Sequence, residues 1–142
     1  MKNLYPNPIA GTKSAGISLQ SVVNRLVCDS NFDSNTATVS NEVPAGVIIG
    51  VDEQKLGPVI NDLLVTVMMN AKNGDVHITA EQFSDIVLLQ IQDRNAYNGY
   101  AVASRLQCIA PDAIRLGGHV DHKSKNQLVS TVSFSFPARA IS

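Results

Sequence analysis

Polar residues able to do chemistry are few in this chain, so their placement carries the argument. Asp62, Thr66, Met69 and Asn70 recur at helical spacing and fall on neighbouring parts of one helix face. The opposite face carries Leu56, Val59, Ile60, Leu63, Leu64, Val67 and Met68, a repeat of three and four that makes one apolar stripe. A third acid, Asp93, closes the alternating run V-L-L-Q-I-Q-D. Asp62, Thr66 and Asp93 are candidate polar anchors for a small ligand in an otherwise apolar cleft. Asp93 reads equally well as a turn or N-cap residue ending a strand.

Other reactive groups are scattered. His77, His119 and His122 all lie on predicted strands, a placement that argues against a catalytic role. Cys28 and Cys108 sit far apart in apolar-patterned segments and are expected as buried free thiols. Without a C-x-x-C or H-x-x-x-H spacing, a structural zinc site is not expected. Arg94 and Arg105 are isolated cations of the kind more often solvated than bound to an anion. Eleven basic and twelve acidic residues are spread along the 142, with no basic cluster that would read as a nucleic-acid or lipid footprint. No apolar run approaches the roughly 18 residues needed to span a bilayer. The N-terminus lacks a signal-like apolar stretch. These features predict a segment that is soluble as it stands, with no direct membrane contact.

The elements that must position these residues follow from periodicity and punctuation. Residues 1–16, with two prolines and two glycines, read as a flexible lead-in, and 17–142 as one domain. A helix is predicted over 17–28, with Ser14 or Ser18 as cap. Strands follow at 36–40 and 46–51, as a hairpin or as neighbours. Asp52 is the expected N-cap of the long helix. Pro58 would remove the bond to the Gln54 carbonyl, so the regular helix begins there or its first turn is kinked. Strands at 75–80 and 85–92 flank a turn at 81–84. A helix over 96–109 is expected to break at Pro111, with a second short helix to Leu116 ended by Gly117-Gly118. Strands at 119–122 and 128–136 complete the chain. Paired strands with interposed helices predict an α+β two-layer sandwich, with a mixed, mostly antiparallel sheet and its helices on one face.

In this order the motifs resemble the catalytic, ATP-binding domain of sensor histidine kinases, a Bergerat-fold ATPase. The resemblance spans roughly residues 17–137. It rests on D-E-Q-K-L followed by V-I-N-D-L-L, on the Asn-Gly loop into V-H-I, and on V-L-L-Q-I-Q-D. Further on come L-G-G-H-V, Ser124 and the closing T-V-S-F-S-F-P. It places Asp62 at the first Asn or general-base carboxylate and Thr66 at the magnesium ligand. Met69 stands at the basic residue near the phosphates, Asn70 at the aromatic packed on the nucleotide, Asp93 at the adenine-binding Asp, and Gly99 at a remnant of the lid glycines. ATP and Mg are therefore the implied cofactors. The implied partners are kinase dimerisation helices or a response regulator in two-component signalling.

The departures from that pattern are chemical. Thr66 offers only a hydroxyl where an amide oxygen would ligate magnesium, and Met69 has no charge to offset phosphate. Asp93-Arg94-Asn95-Ala96-Tyr97 lacks both glycines of the family's D-x-G-x-G, where the backbone must approach the base. Gly117 follows Asp93 by only 24 positions, too few for the long lid, and no consecutive glycines that would cradle phosphates lie between them. No histidine stands in an H-E-x-x-x-P-L phosphoacceptor setting. The family implies an ATP-dependent protein-histidine kinase. The losses point instead to a pseudokinase with weak or no nucleotide binding, used as a structural or interaction module. The alternative is a working phosphotransfer domain whose phosphoacceptor His lies outside this chain.

Overall fold

The apolar stripe on the central helix sets the plan of the molecule. A computed structural model describes residues 16–29, 37–71, 73–95, 99–125 and 129–139. Of the expected lead-in at 1–16, residues 1–15 therefore lie outside the described residues. Helix α2 (Glu53–Met69) buries Leu56, Ile60, Leu63, Leu64, Val67 and Met68. Its N-cap is Asp52, whose side chain accepts from the Gln54 N–H at 2.9 Å. The helix begins at Glu53, so Pro58 lies within it rather than opening it.

Two other helices flank α2: α1 (Leu19–Asp29) and α3 (Gly99–Arg115). Ser18 caps α1, its hydroxyl accepting from the Ser21 N–H at 3.4 Å. Residues Ile17–Ser18, expected as helix, instead form a short strand β1. Helix α3 runs unbroken through Pro111, correcting the expected two-helix reading. It ends in a Schellman motif: Gly118 N–H bonds the Ala113 carbonyl, Gly117 N–H bonds that of Ile114, and Gly117 takes φ +79°. A Cβ on Gly118 would stand 2.4 Å from the Ser135 carbonyl oxygen, so only glycine lets the chain turn from α3 into the sheet.

The remaining strands are β2 (Ala37–Asn41), β3 (Ile48–Ile49), β4 (Gly74–Phe83), β5 (Ile86–Asp93), β6 (His119–Lys125) and β7 (Val129–Pro137). Five of them form one mixed sheet in the order β2-β4-β5-β7-β6, parallel only between β2 and β4. Strands β2 and β3 form neither the expected hairpin nor neighbours in one sheet: β3 pairs antiparallel with β1 in a separate ribbon. The β4–β5 turn is Ser84-Asp85 with Ser84 at φ +58°, so β4 runs to Phe83 and residues 81–83 are strand. Strand β6 reaches Lys125 rather than stopping at His122.

Burial alternates strictly along β7, with Ser130, Val132, Phe134 and Phe136 inward. Val76, Ile78 and Ala80 of β4 and Val87, Leu89 and Ile91 of β5 share that face and join the helices in one core. The other face carries Thr79, Gln90, Gln92, Thr131 and Ser133, which accounts for the helices lying on one side only. The result is a two-layer α+β sandwich. Cys28 and Cys108 are free thiols, but both are exposed rather than buried. None of the described helices is long and apolar enough to cross a membrane.

Candidate functional site

Topology decides which candidate residues can meet. Helix α2 ends at Met69 and leads into β4 at Gly74, while β5 ends at Asp93 opposite Val76 and leads into α3 at Gly99. Asn70, Asp93 and Gly99 thus share one end of the sheet, and α2 and α3 run antiparallel. Asp62 stands two turns back along α2, toward the other end.

At the shared end the polar groups are bonded internally. Thr66 is only 2% exposed, and its hydroxyl donates to the Asp62 carbonyl at 2.7 Å. The expected solvent-side row of α2 therefore needs correction at its centre, where Thr66 is packed into the interior rather than facing solvent. Asn70 is the C-cap of α2, and its amide donates to the Thr66 carbonyl at 2.7 Å. Both side chains close back four residues onto their own helix, a common way to satisfy Thr and Asn locally. Met69 projects outward, 75% exposed.

Asp93 is 4% exposed, and one carboxylate oxygen, Oδ1, accepts from two backbone N–H groups, Asp75 at 3.1 Å and Asn95 at 3.0 Å. The second of these is an Asx turn that closes β5. Asn95 in turn donates to the Asn73 carbonyl at 2.7 Å, and Asn73 takes φ +53°. A Cβ on Gly74 would stand 3.2 Å from Asp93 Oδ1 and 2.9 Å from the Ala71 Cβ. Glycine there lets the α2–β4 connection cross close over the carboxylate. The strand-ending role of Asp93 is thus realised in full.

Two further residues meet here: Ser130, which sequence reasoning passed over, and His122, which it read only as a strand residue. Ser130 pairs with Asp93 across the β5–β7 ladder, is 5% exposed, and its Oγ lies 2.6 Å from His122 Nε2. Burial lowers the pKa of His122 below its ordinary 6.5, against the smaller, opposing pull of the Asp121 carboxylate. The signal was present: Ser130 keeps the register of Val132, Phe134 and Phe136, and His122 that of Val120. A pocket of about 260 Å³ lies beside His122, between α3 and β6. Arg94 turns away, its Nε donating to Gln92 Oε1 at 2.8 Å, and Arg105 is exposed.

Toward the other end, Asp62 lines a separate groove of about 440 Å³ between α2 and the last turns of α3. The candidate residues are therefore divided. Thr66, Asn70 and Asp93 belong to a cluster at the sheet end whose side chains bond to backbone, and Asp62 to an open groove.

Comparison with known proteins bears on the fold. The sequence matches no family model and no curated protein. Solved structures do match. A histidine kinase from Burkholderia phymatum superposes with TM-score 0.71 at 12% identity over 92% of this chain and 76% of its own. Acinetobacter baumannii AdeS gives 0.70 at 14% over 86% of this chain and 66% of its own. The catalytic domain of ThkA gives 0.66 at 13% over 87% and 94%. This chain has the fold of a histidine-kinase catalytic domain.

Proposed function

We propose that this chain is a degenerate histidine-kinase-type ATPase domain, a pseudo-ATPase that keeps the scaffold as a structural or interaction module. The observation that carries the reading is the hydroxyl of Thr66, buried and directed into the Asp62 carbonyl of its own helix. In the resemblance this is the magnesium position. A magnesium ion wants near-octahedral oxygen ligands, usually carboxylates and phosphates, and a buried hydroxyl donating into a helix does not fit it. Met69 supplies no charge for phosphate, and Asp93 already serves two backbone N–H groups. Phosphoryl transfer depends on positioning and charge neutralisation. Losing about 4 kcal/mol of that stabilisation slows the reaction roughly a thousandfold.

Within this reading the module works on the cytoplasmic side of two-component signalling, and its partners are kinase dimerisation helices or a response regulator. The second reading is a working ATP-binding phosphotransfer domain acting on a histidine outside this chain. It is favoured by one observation, the burial of Asp93 beside Ser130 at the end of an intact sheet. Titration with Mg-ATP and ADP followed by thermal unfolding separates the two. A ligand at 100 times its Kd stabilises a fold by about 2.7 kcal/mol, and the pseudo-ATPase reading expects no shift at millimolar nucleotide. Restoring the missing groups in the double variant Thr66→Asn/Met69→Lys is expected to create measurable Mg-ATP binding.

A further inference from the structure

No described helix covers the face of the sheet that carries Gln90 and Ser133. Strand register sorts its side chains into rows running from β4 across β5 and β7 to β6. One row reads His77, Gln92, Thr131, Lys123; the next Thr79, Gln90, Ser133, Asp121; the third Glu81, Leu88, Ser135, His119. The two central columns, on β5 and β7, hold no charge, and every residue of these rows within them is half-buried. Gln90 Nε2 donates to Ser133 Oγ at 3.4 Å and Gln92 Nε2 to Thr131 Oγ1 at 3.3 Å, which holds the columns flat. At one end the rows close on Ile86 and Pro137, beside Phe83. Phe83 is 55% exposed and Ile86 46%. Charge missing from the middle of a patch and kept at its margins is the composition of an interface core with its rim. The margins differ in sign. On the β4 side His77 contacts both Glu42 and Asp75, so that trio is net negative at neutral pH whether or not the ring is protonated, and Glu81 adds to it. On the β6 side Lys123 and Lys125 are exposed, with no ion-pair partner among the described residues. Asp121, the exception on that margin, is level with the neutral Thr79.

We propose that this face binds a second copy of the chain, with the two sheets stacked about 10 Å apart around a two-fold axis. The axis runs along the strands, over the β5–β7 seam, and sets each row against the same row of the second copy. Strand β4 then lies over the other copy's β6, and β5 over its β7. Asp75 meets Lys125 of the second copy, Glu81 meets its His119, Gln90 its Ser133 and Ile86 its Pro137. An axis across the strands would instead lay the acidic margin on itself, so charge selects the first arrangement. Twisted sheets stacked in this way cross at about 30°, which keeps the central columns in contact and leaves the charged margins at the rim. Self-complementarity of one face is what points to a copy of the same chain rather than to a different protein. From β4 to β6 and from Asp75 to Phe83 the face spans about 19 by 27 Å, on the order of 500 Å² per copy. On the order of 1,000 Å² in all is the size of a weak, reversible association. The face lies on the side of the sheet away from Thr66 and Asp93, so self-association and nucleotide titration test separate claims.

The test is sedimentation equilibrium of the full chain at low salt, where a dimer with Kd on the order of 100 µM is expected. Amide chemical shifts followed over the same concentrations should move at Gln90, Gln92, Thr131 and Ser133 and stay fixed on the helices. Ser133→Lys puts an unpaired charge into the centre of the face and should weaken the dimer more than about tenfold. The reversal Lys123→Glu/Lys125→Glu acts at the rim and should weaken it about three- to tenfold, an effect that added salt reduces. These side chains face outward, so at concentrations where all are monomers both variants should melt as the parent chain does. Gln90→Lys, on the neighbouring strand, repeats the central test should Ser133→Lys fail to fold. A chain that stays monomeric at about 1 mM, ten times the expected Kd, overturns the proposal. So does a dimer that survives the central substitution or tightens on reversal of the two lysines. Concentration-dependent shifts confined to the helices overturn it as well.

Discussion

The two ends of helix α2 treat their polar residues differently. At the C-terminal end Thr66, Asn70 and, across the core, Asp93 are each bonded to protein backbone. Toward the N-terminal end Lys55 and Asp62 border an open groove without an ion-pair partner among the described residues. One helix thus presents a set of side chains absorbed into the fold and another set left available. A polar residue at a position associated with chemistry is evidence of chemistry only while its donors and acceptors remain unclaimed.

That contrast can be broken by substitution. The largest effect is expected at Asp93→Ala, which strands two buried N–H groups and should cost about 2–3 kcal/mol of unfolding free energy in denaturant titration. An effect below 1 kcal/mol would mean the carboxylate is not structural. Gly57→Ala sharpens the account of α2 itself. A Cβ there meets nothing within 4 Å, so helix propensity alone should raise stability by about 0.8–1 kcal/mol. Asp62→Ala, at the available end, should change stability by no more than about 0.5 kcal/mol.

His122 gives the same comparison a pH dependence. Its folded pKa lies below the unfolded value of 6.5 because burial disfavours the imidazolium. Below pH 6.5 the unfolded chain therefore binds more protons than the folded one. Its contribution is fully present above that pH and is lost as pH falls through the window down to the depressed folded value. Stability measured across that window should decline with acid, and His122→Gln should flatten the slope.

Much of the fold was legible in the residues. The stripe from Leu56 to Met68 and the alternation ending T-V-S-F-S-F both came through, because each reports one element facing one core. What failed involved neighbours that periodicity does not see. Thr66 looked solvent-facing on its own helix, yet the assembled fold encloses it. The runs at 36–40 and 46–51 looked like partners because they are close in sequence, yet β2 crosses over to pair in parallel with β4, and β3 pairs with β1. Pro111 looked like a break, but α3 continues through it. The cysteines sit on helices with apolar faces, though on positions those faces do not cover. At the candidate site the local turn of Asp93 onto the Asn95 N–H was visible, while its second partner was not, since Asp75 comes from another strand.

The measurement that bears most directly on the central claim is calorimetric titration of the full chain with Mg-ATP. The account predicts no saturable heat and no thermal stabilisation at millimolar nucleotide. Saturable binding, abolished by Asp93→Asn in a variant that still folds, would contradict it.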